Sequence, residues 1–132
     1  MDSIGFWIFM FICAMLIPAT MIIFGVKFLR KAPKNINYTY GYRTTRSMKN
    51  RDTWEFAHKR IGSLWKGIGI ALMPCSAVVM LFFIGMDIES IGLNSVYIIF
   101  IQLVFMVFPI FIVEKRLKNS FDKYGQRKAN RE

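Results

Sequence analysis

The sequence predicts an all-α integral membrane protein in which three transmembrane helices are joined by a cytoplasmic loop whose second half is an amphipathic helix. Two observations carry this. Hydrophobic residues make up 55% of the 132 positions while the net charge is +10, and the two excesses occupy different stretches of chain. Lys27 to Lys66 holds 11 of the 18 Lys and Arg, 7 more follow Val113, and the three long apolar runs hold none. A soluble globule of ordinary composition does not segregate its charge in this way.

The first run, Ile4 to Val26, has 23 residues and no charge. That is enough to cross the ~30 Å hydrocarbon core, which takes about 20 helical residues. No basic stretch precedes it and no small-residue cleavage site follows, so it reads as a span rather than a cleavable signal. The second and third spans lie at 67–86 and about 96–113, separated by a connector carrying Asp87 and Glu89. Lys and Arg concentrate on the cytoplasmic side of short loops. The N-terminus and the Asp87/Glu89 connector are therefore placed outside, with the 27–66 loop and the 114–132 tail in the cytoplasm, all within one membrane domain, 1–132.

Each span holds one proline, Pro18, Pro74 and Pro109, in its cytoplasmic half. A proline leaves the carbonyl four residues earlier without its helical donor, here Ala14, Ile70 and Phe105, and tends to kink the helix. Three such kinks would splay the bundle into a cavity open to the cytoplasm; the competing reading is that prolines are common in membrane helices. Gly62, Gly67, Gly69, Ala71, Ser76 and Ala77 offer small side chains for close helix approach. Gln102 is the strongly polar residue deepest in the spans and should face the bundle or a second copy of the chain. No Asp, Glu, Lys or Arg lies inside a span, which argues against a proton- or ion-coupled transporter.

Within the loop, Asn50 is placed to cap a helix with Asp52 and Glu55 near its start. Glu55 pairs with Lys59 at four-residue spacing, and Trp54, Ala57, Ile61 and Leu64/Trp65 recur on one face. This amphipathic segment is expected to lie along the inner membrane surface and to turn into the second span near Gly62. Upstream, Asn37, Tyr38, Tyr40, Gly41 and Tyr42 read as an aromatic turn at interface depth, with Gly41 supplying backbone freedom. Arg43 follows, and three roles stay open for it: stacking on the tyrosines, holding a phosphate or carboxylate, or satisfying helix carbonyls.

Asn37, Gly41-Tyr42-Arg43-Thr44, Ser47, Asn50, Trp54, Ala57 and Gly62 together resemble the signature of the SdpI immunity-protein family. The match covers about 26 residues directly, and the surrounding three-span layout resembles the family's C-terminal module. Thr45 stands where relatives often have Pro, and Arg46 where Trp is frequent. The resemblance implies a bacterial cell-membrane protein that protects its host from a secreted peptide toxin and, in the family's prototype, recruits a small winged-helix repressor. It places the functional loop at Asn37, Gly41, Tyr42, Arg43, Thr44, Ser47, Asn50 and Trp54, to which His58 is added as a titratable neighbour.

Other classes are weighed against this. Basic patches also bind nucleic acid, but this charge sits where topology requires it, so direct nucleic-acid binding is not expected and anionic lipid is the expected counter-charge. Cys13 and Cys75 lie in separate spans, and His58 is the single histidine, so no metal site and no cofactor is expected. A membrane-embedded enzyme or a lipid- or peptide-binding protein would need Arg43, His58, Asn50 and Ser47 to converge beneath the prolines. A structural subunit or homo-oligomeric path would rest on Gln102 and the glycine face. The tail is expected to continue the third helix to about Gly125, with its final residues unstructured.

Overall fold

A computed structural model describes residues 2–37 and 40–128. Tyr38 and the last four residues of the tail, on which two of the expectations above fall, lie outside the described residues. Three helices account for nearly all of the fold: α1 (Ser3–Arg30), α2 (Arg51–Leu81) and α3 (Ile88–Ser120). All three are long and apolar enough to cross a membrane. At 1.5 Å per residue their lengths come to roughly 42 to 50 Å, well beyond a ~30 Å hydrocarbon core. Only 28%, 17% and 17% of their most apolar windows are buried within the protein. So much outward-facing apolar surface requires lipid as its solvent.

Each helix starts on a side-chain cap. Asp2 accepts from the Gly5 amide, Asn50 from Thr53 and Asp87 from Ser90. The helices run up, down and up. The Trp7 indole donates to the Met80 carbonyl (2.8 Å) at one end, while Gly25 and Gly62 meet at the other. Between the ends sits a polar layer. Gln102 Nε2 donates to the Ala14 carbonyl (2.8 Å) and to Ser76 Oγ (2.8 Å), joining all three helices. The Ala14 carbonyl is the one Pro18 leaves without a helical donor, so the proline and the glutamine are complementary parts of one contact. Met10, Ala14, Met80 and Ile91 pack on one side of this layer. Phe28, Tyr42, Ala57, Ile61, Val113, Leu117 and Phe121 pack on the other.

The largest departure from expectation is in α2. The helix is continuous from Arg51 to Leu81, without a turn at Gly62, and the amphipathic segment forms its first turns. Trp54, Ala57 and Ile61 are fully buried against protein rather than spread on a membrane surface. The reason is that other parts of the chain supply a core for this face: Phe28, Tyr42, Leu117 and Phe121. Gly62 serves the crossing instead. A Cβ built on it would stand 2.7 Å from both the Gly25 carbonyl oxygen and the Leu29 nitrogen, so only hydrogen lets the two backbones approach this closely.

Smaller differences have equally local causes. Glu55 pairs back with Arg51 (2.8 Å) instead of forward with Lys59. Gly67 and Ala71 face outward, whereas Gly62, Gly69 and Ser76 face the bundle. Pro18 and Pro109 are buried and Pro74 is exposed. α3 ends at Ser120, short of Gly125. Beyond it the chain folds back through an antiparallel bridge between Phe121 and Arg127, with Gly125 in the turn at φ +81°.

Candidate functional site

The cation-rich end of the bundle is closed by a cap built from residues 40–54 and the tail. Its hinge is Gly41, whose φ of +108° lies in the region L side chains avoid. A Cβ there would stand 2.6 Å from His58 Nε2, so both conformation and space demand glycine. This close approach lets the next amide, Tyr42 N–H, donate to His58 Nε2 at 2.8 Å. The other ring nitrogen, Nδ1, donates to the Trp54 carbonyl at 2.8 Å. Because Nε2 accepts, the proton resides on Nδ1 and the ring is neutral. His58 sits in the charged first turns of α2, outside its apolar run, yet is completely buried. That burial holds its pKa below the usual histidine value, with the Trp54 carbonyl opposing and the Arg51 charge adding to the depression.

Tyr42 carries the cap across to α3. Its hydroxyl donates to Glu114 Oε2 at 2.6 Å, a short charge-assisted bond. Burial, then the Glu114 carboxylate, pushes the phenol well above its ordinary range. Arg46 lies 4.0 Å from the same carboxylate.

The rest of the loop is an interlocked turn. The Thr44 amide donates to Ser47 Oγ (2.9 Å), the Ser47 amide to Thr44 Oγ1 (3.1 Å), and Ser47 Oγ contacts the Tyr42 carbonyl (3.0 Å). Asn50 and Thr53 form a reciprocal capping box. The Asn50 side-chain amide also donates to the Gly125 carbonyl (2.7 Å), seating the tail on the N-terminus of α2. Arg127 forks onto Asp52 with bonds of 2.9 and 2.8 Å beside it. The Trp54 indole donates to the Pro33 carbonyl (2.9 Å), and Asn37 Oδ1 accepts from the Tyr40 amide (2.7 Å).

Beneath the cap lies a cavity of about 440 Å³. Phe24, Phe28, Tyr40, Trp65, Met106 and Ile110 give it apolar walls, and Tyr42, Arg43 and Thr44 lie along its loop side. The structure thus divides the sequence-predicted site residues. Gly41, Tyr42, Arg43 and Thr44 line the cavity; Asn37, Ser47, Asn50, Trp54 and His58 hold the loop in place around it. His58, Ser47 and Asn50 do not converge as free catalytic groups, since each is engaged with backbone. The sequence reading missed Glu114, Thr53 and Gly125, which act only through contacts. Glu114 had a signal, as the first charged residue after the third apolar run.

The fold and cap define a polytopic α-helical membrane protein with a folded, basic cap at one end. More particularly, the chain belongs to the SdpI/YfhL protein family, whose model matches residues 34–113, more than half of its length and every site residue the sequence predicted, though not Glu114 or Gly125. No curated protein and no solved structure matches the chain.

Proposed function

We propose that this chain is a bacterial cell-membrane immunity protein that protects its host from a secreted antimicrobial peptide toxin. The observation that carries this reading is the coincidence of the family-matched loop with a rigid cap over a defined cavity. The N-terminus and the Asp87 connector lie outside and the cap and tail in the cytoplasm, as the one-sided distribution of Lys and Arg favours. A toxin meets the spans and the outer connector, while the cap and basic tail form the face that docks a cytoplasmic repressor. Gly41 and His58 set the shape of the corner, and Arg43 and Thr44 present its chemistry to the cavity and to a partner.

The test is survival of a toxin-sensitive bacterium expressing the wild-type chain or Arg43→Ala at equal membrane levels. Protection by the wild type that is lost in Arg43→Ala is the expected result. Equal protection by both removes the corner from the mechanism, and no protection by the wild type against the candidate toxins overturns the immunity reading.

A second reading, a lipid- or peptide-binding protein with a cytoplasm-facing site, is favoured by the cavity, whose volume is within the usual 300–1,000 Å³ range of ligand sites. Its enzymatic form is disfavoured because both His58 nitrogens are committed to backbone partners.

A further inference from the structure

A second concavity, of about 560 Å³, lies on the flank of α1 beside the cap. Lys27, Arg30, Lys31 and Lys34 line it, with Ile23 and Val26 at its membrane end. Helix polarity accounts for Lys27 and Arg30, which complement the C-terminal end of α1. Lys31 is the C-cap of the same helix; helix polarity does not account for Lys34, which lies past the cap and is brought back beside the helix. That return is imposed by α2: the Trp54 indole binds the Pro33 carbonyl and an Arg51 guanidinium nitrogen binds the Lys34 carbonyl. The backbone carrying the cations is therefore fixed before any ligand arrives. Among the described residues, no carboxylate lines the concavity and none of the four cations forms a salt bridge. Four like charges held around one hollow repel unless an anion is among them.

We propose that this hollow binds one anionic phospholipid, its phosphate headgroup among Lys27, Arg30, Lys31 and Lys34 and an acyl chain along Ile23 and Val26. The order of the lining residues supports this occupant over a soluble phosphate: Ile23 lies one to two turns deeper along α1 than Lys27 and Arg30, Val26 lies about one turn deeper than Arg30, and Ile23 is 62% exposed. A lipid satisfies both halves of the hollow, whereas a free phosphate satisfies only one. The Tyr40 ring lines both this hollow and the cavity beneath the cap, with Lys27 Nζ 5.3 Å from its centroid, so a bound headgroup sits directly behind the wall of the candidate site. The inference does not depend on the immunity reading.

The test uses the full chain, delipidated in mild detergent, with phosphatidylglycerol, phosphatidylcholine or soluble glycerol phosphate added and bound lipid counted by native mass spectrometry. Phosphatidylglycerol should be retained over phosphatidylcholine by about tenfold or more at low salt. The preference should vanish in K27Q/R30Q/K31Q/K34Q and persist in R60Q/K115Q/R116Q/K118Q, which removes as much charge elsewhere. Equal loss in both variants reduces the effect to diffuse attraction and overturns the site; competition by glycerol phosphate at matched concentration overturns the lipid assignment. A photoactivatable phosphatidylglycerol analogue on the wild-type chain decides the matter without mutation. Crosslinks should fall within 23–34, and crosslinks confined to other segments overturn the proposal.

Discussion

At Tyr42 hydrogen bonds leave one residue for two different helices: the backbone amide reaches His58 on α2, and the hydroxyl reaches Glu114 and the Ile110 carbonyl on α3. The first bond requires an unprotonated Nε2. His58 is more easily protonated unfolded than folded, since burial lowers its native pKa. Stability is therefore complete above the unfolded value of about 6.5 and is lost as pH falls below it, through the lowered folded value, because the unfolded chain binds the proton first. The wild-type chain in detergent should melt at a lower temperature at about pH 5.5 than at about pH 7.5. His58→Gln should melt lower than wild type at the higher pH, by the ~1–3 kcal/mol of an ill-satisfied buried amide, and show a smaller difference between the two pH values. Identical pH slopes in the two proteins would clear His58 of the effect. The turn at Gly41 and the cap at Asn50 were legible because each residue type has a local backbone role. The partner of Tyr42 was not, since Glu114 is 72 positions away.

Among the elements, the crossing of α1 and α2 depends on Gly25 and Gly62, where backbone rather than side chain limits the approach. Backbone cannot swing aside, so a side chain at Gly62 must push the helices apart. Gly62→Val should lower the melting temperature markedly, at a cost of about 1–3 kcal/mol or more by the scale of overpacked core sites, whereas Gly67→Val, with nothing near its Cβ, should leave it nearly unchanged. Comparable melting of the two variants would show that the crossing tolerates separation. The sequence pattern placed the start of α2 after Asn50, but it broke the helix near Gly62 and assigned the apolar face of its first turns to a membrane surface. An amphipathic stripe specifies only that something apolar must cover it, and here Tyr42, Phe28 and the tail do so.

On the scale of the whole molecule, the Gln102 layer and the two apolar clusters hold three lipid-facing helices together, and the proposed orientation rests on the one-sided distribution of Lys and Arg. With Cys13 and Cys75 replaced by serine, a membrane-impermeant thiol reagent applied to intact cells should label Ser90→Cys and leave Tyr124→Cys unlabelled until the membrane is opened. The reverse pattern would invert the proposed orientation and move the cap outside. What the sequence by itself determined was the number of spans, the segregation of charge to one end and the Asn50 cap of α2, because length, hydropathy and capping are properties of contiguous residues. Only the tertiary structure decided that His58 and Trp54 are buried within the cap, that the tail seats on Asn50, and that four cations share one hollow. Those outcomes depend on residues far apart in the chain meeting at hydrogen-bond distance, and the pattern of neither partner alone specifies the other.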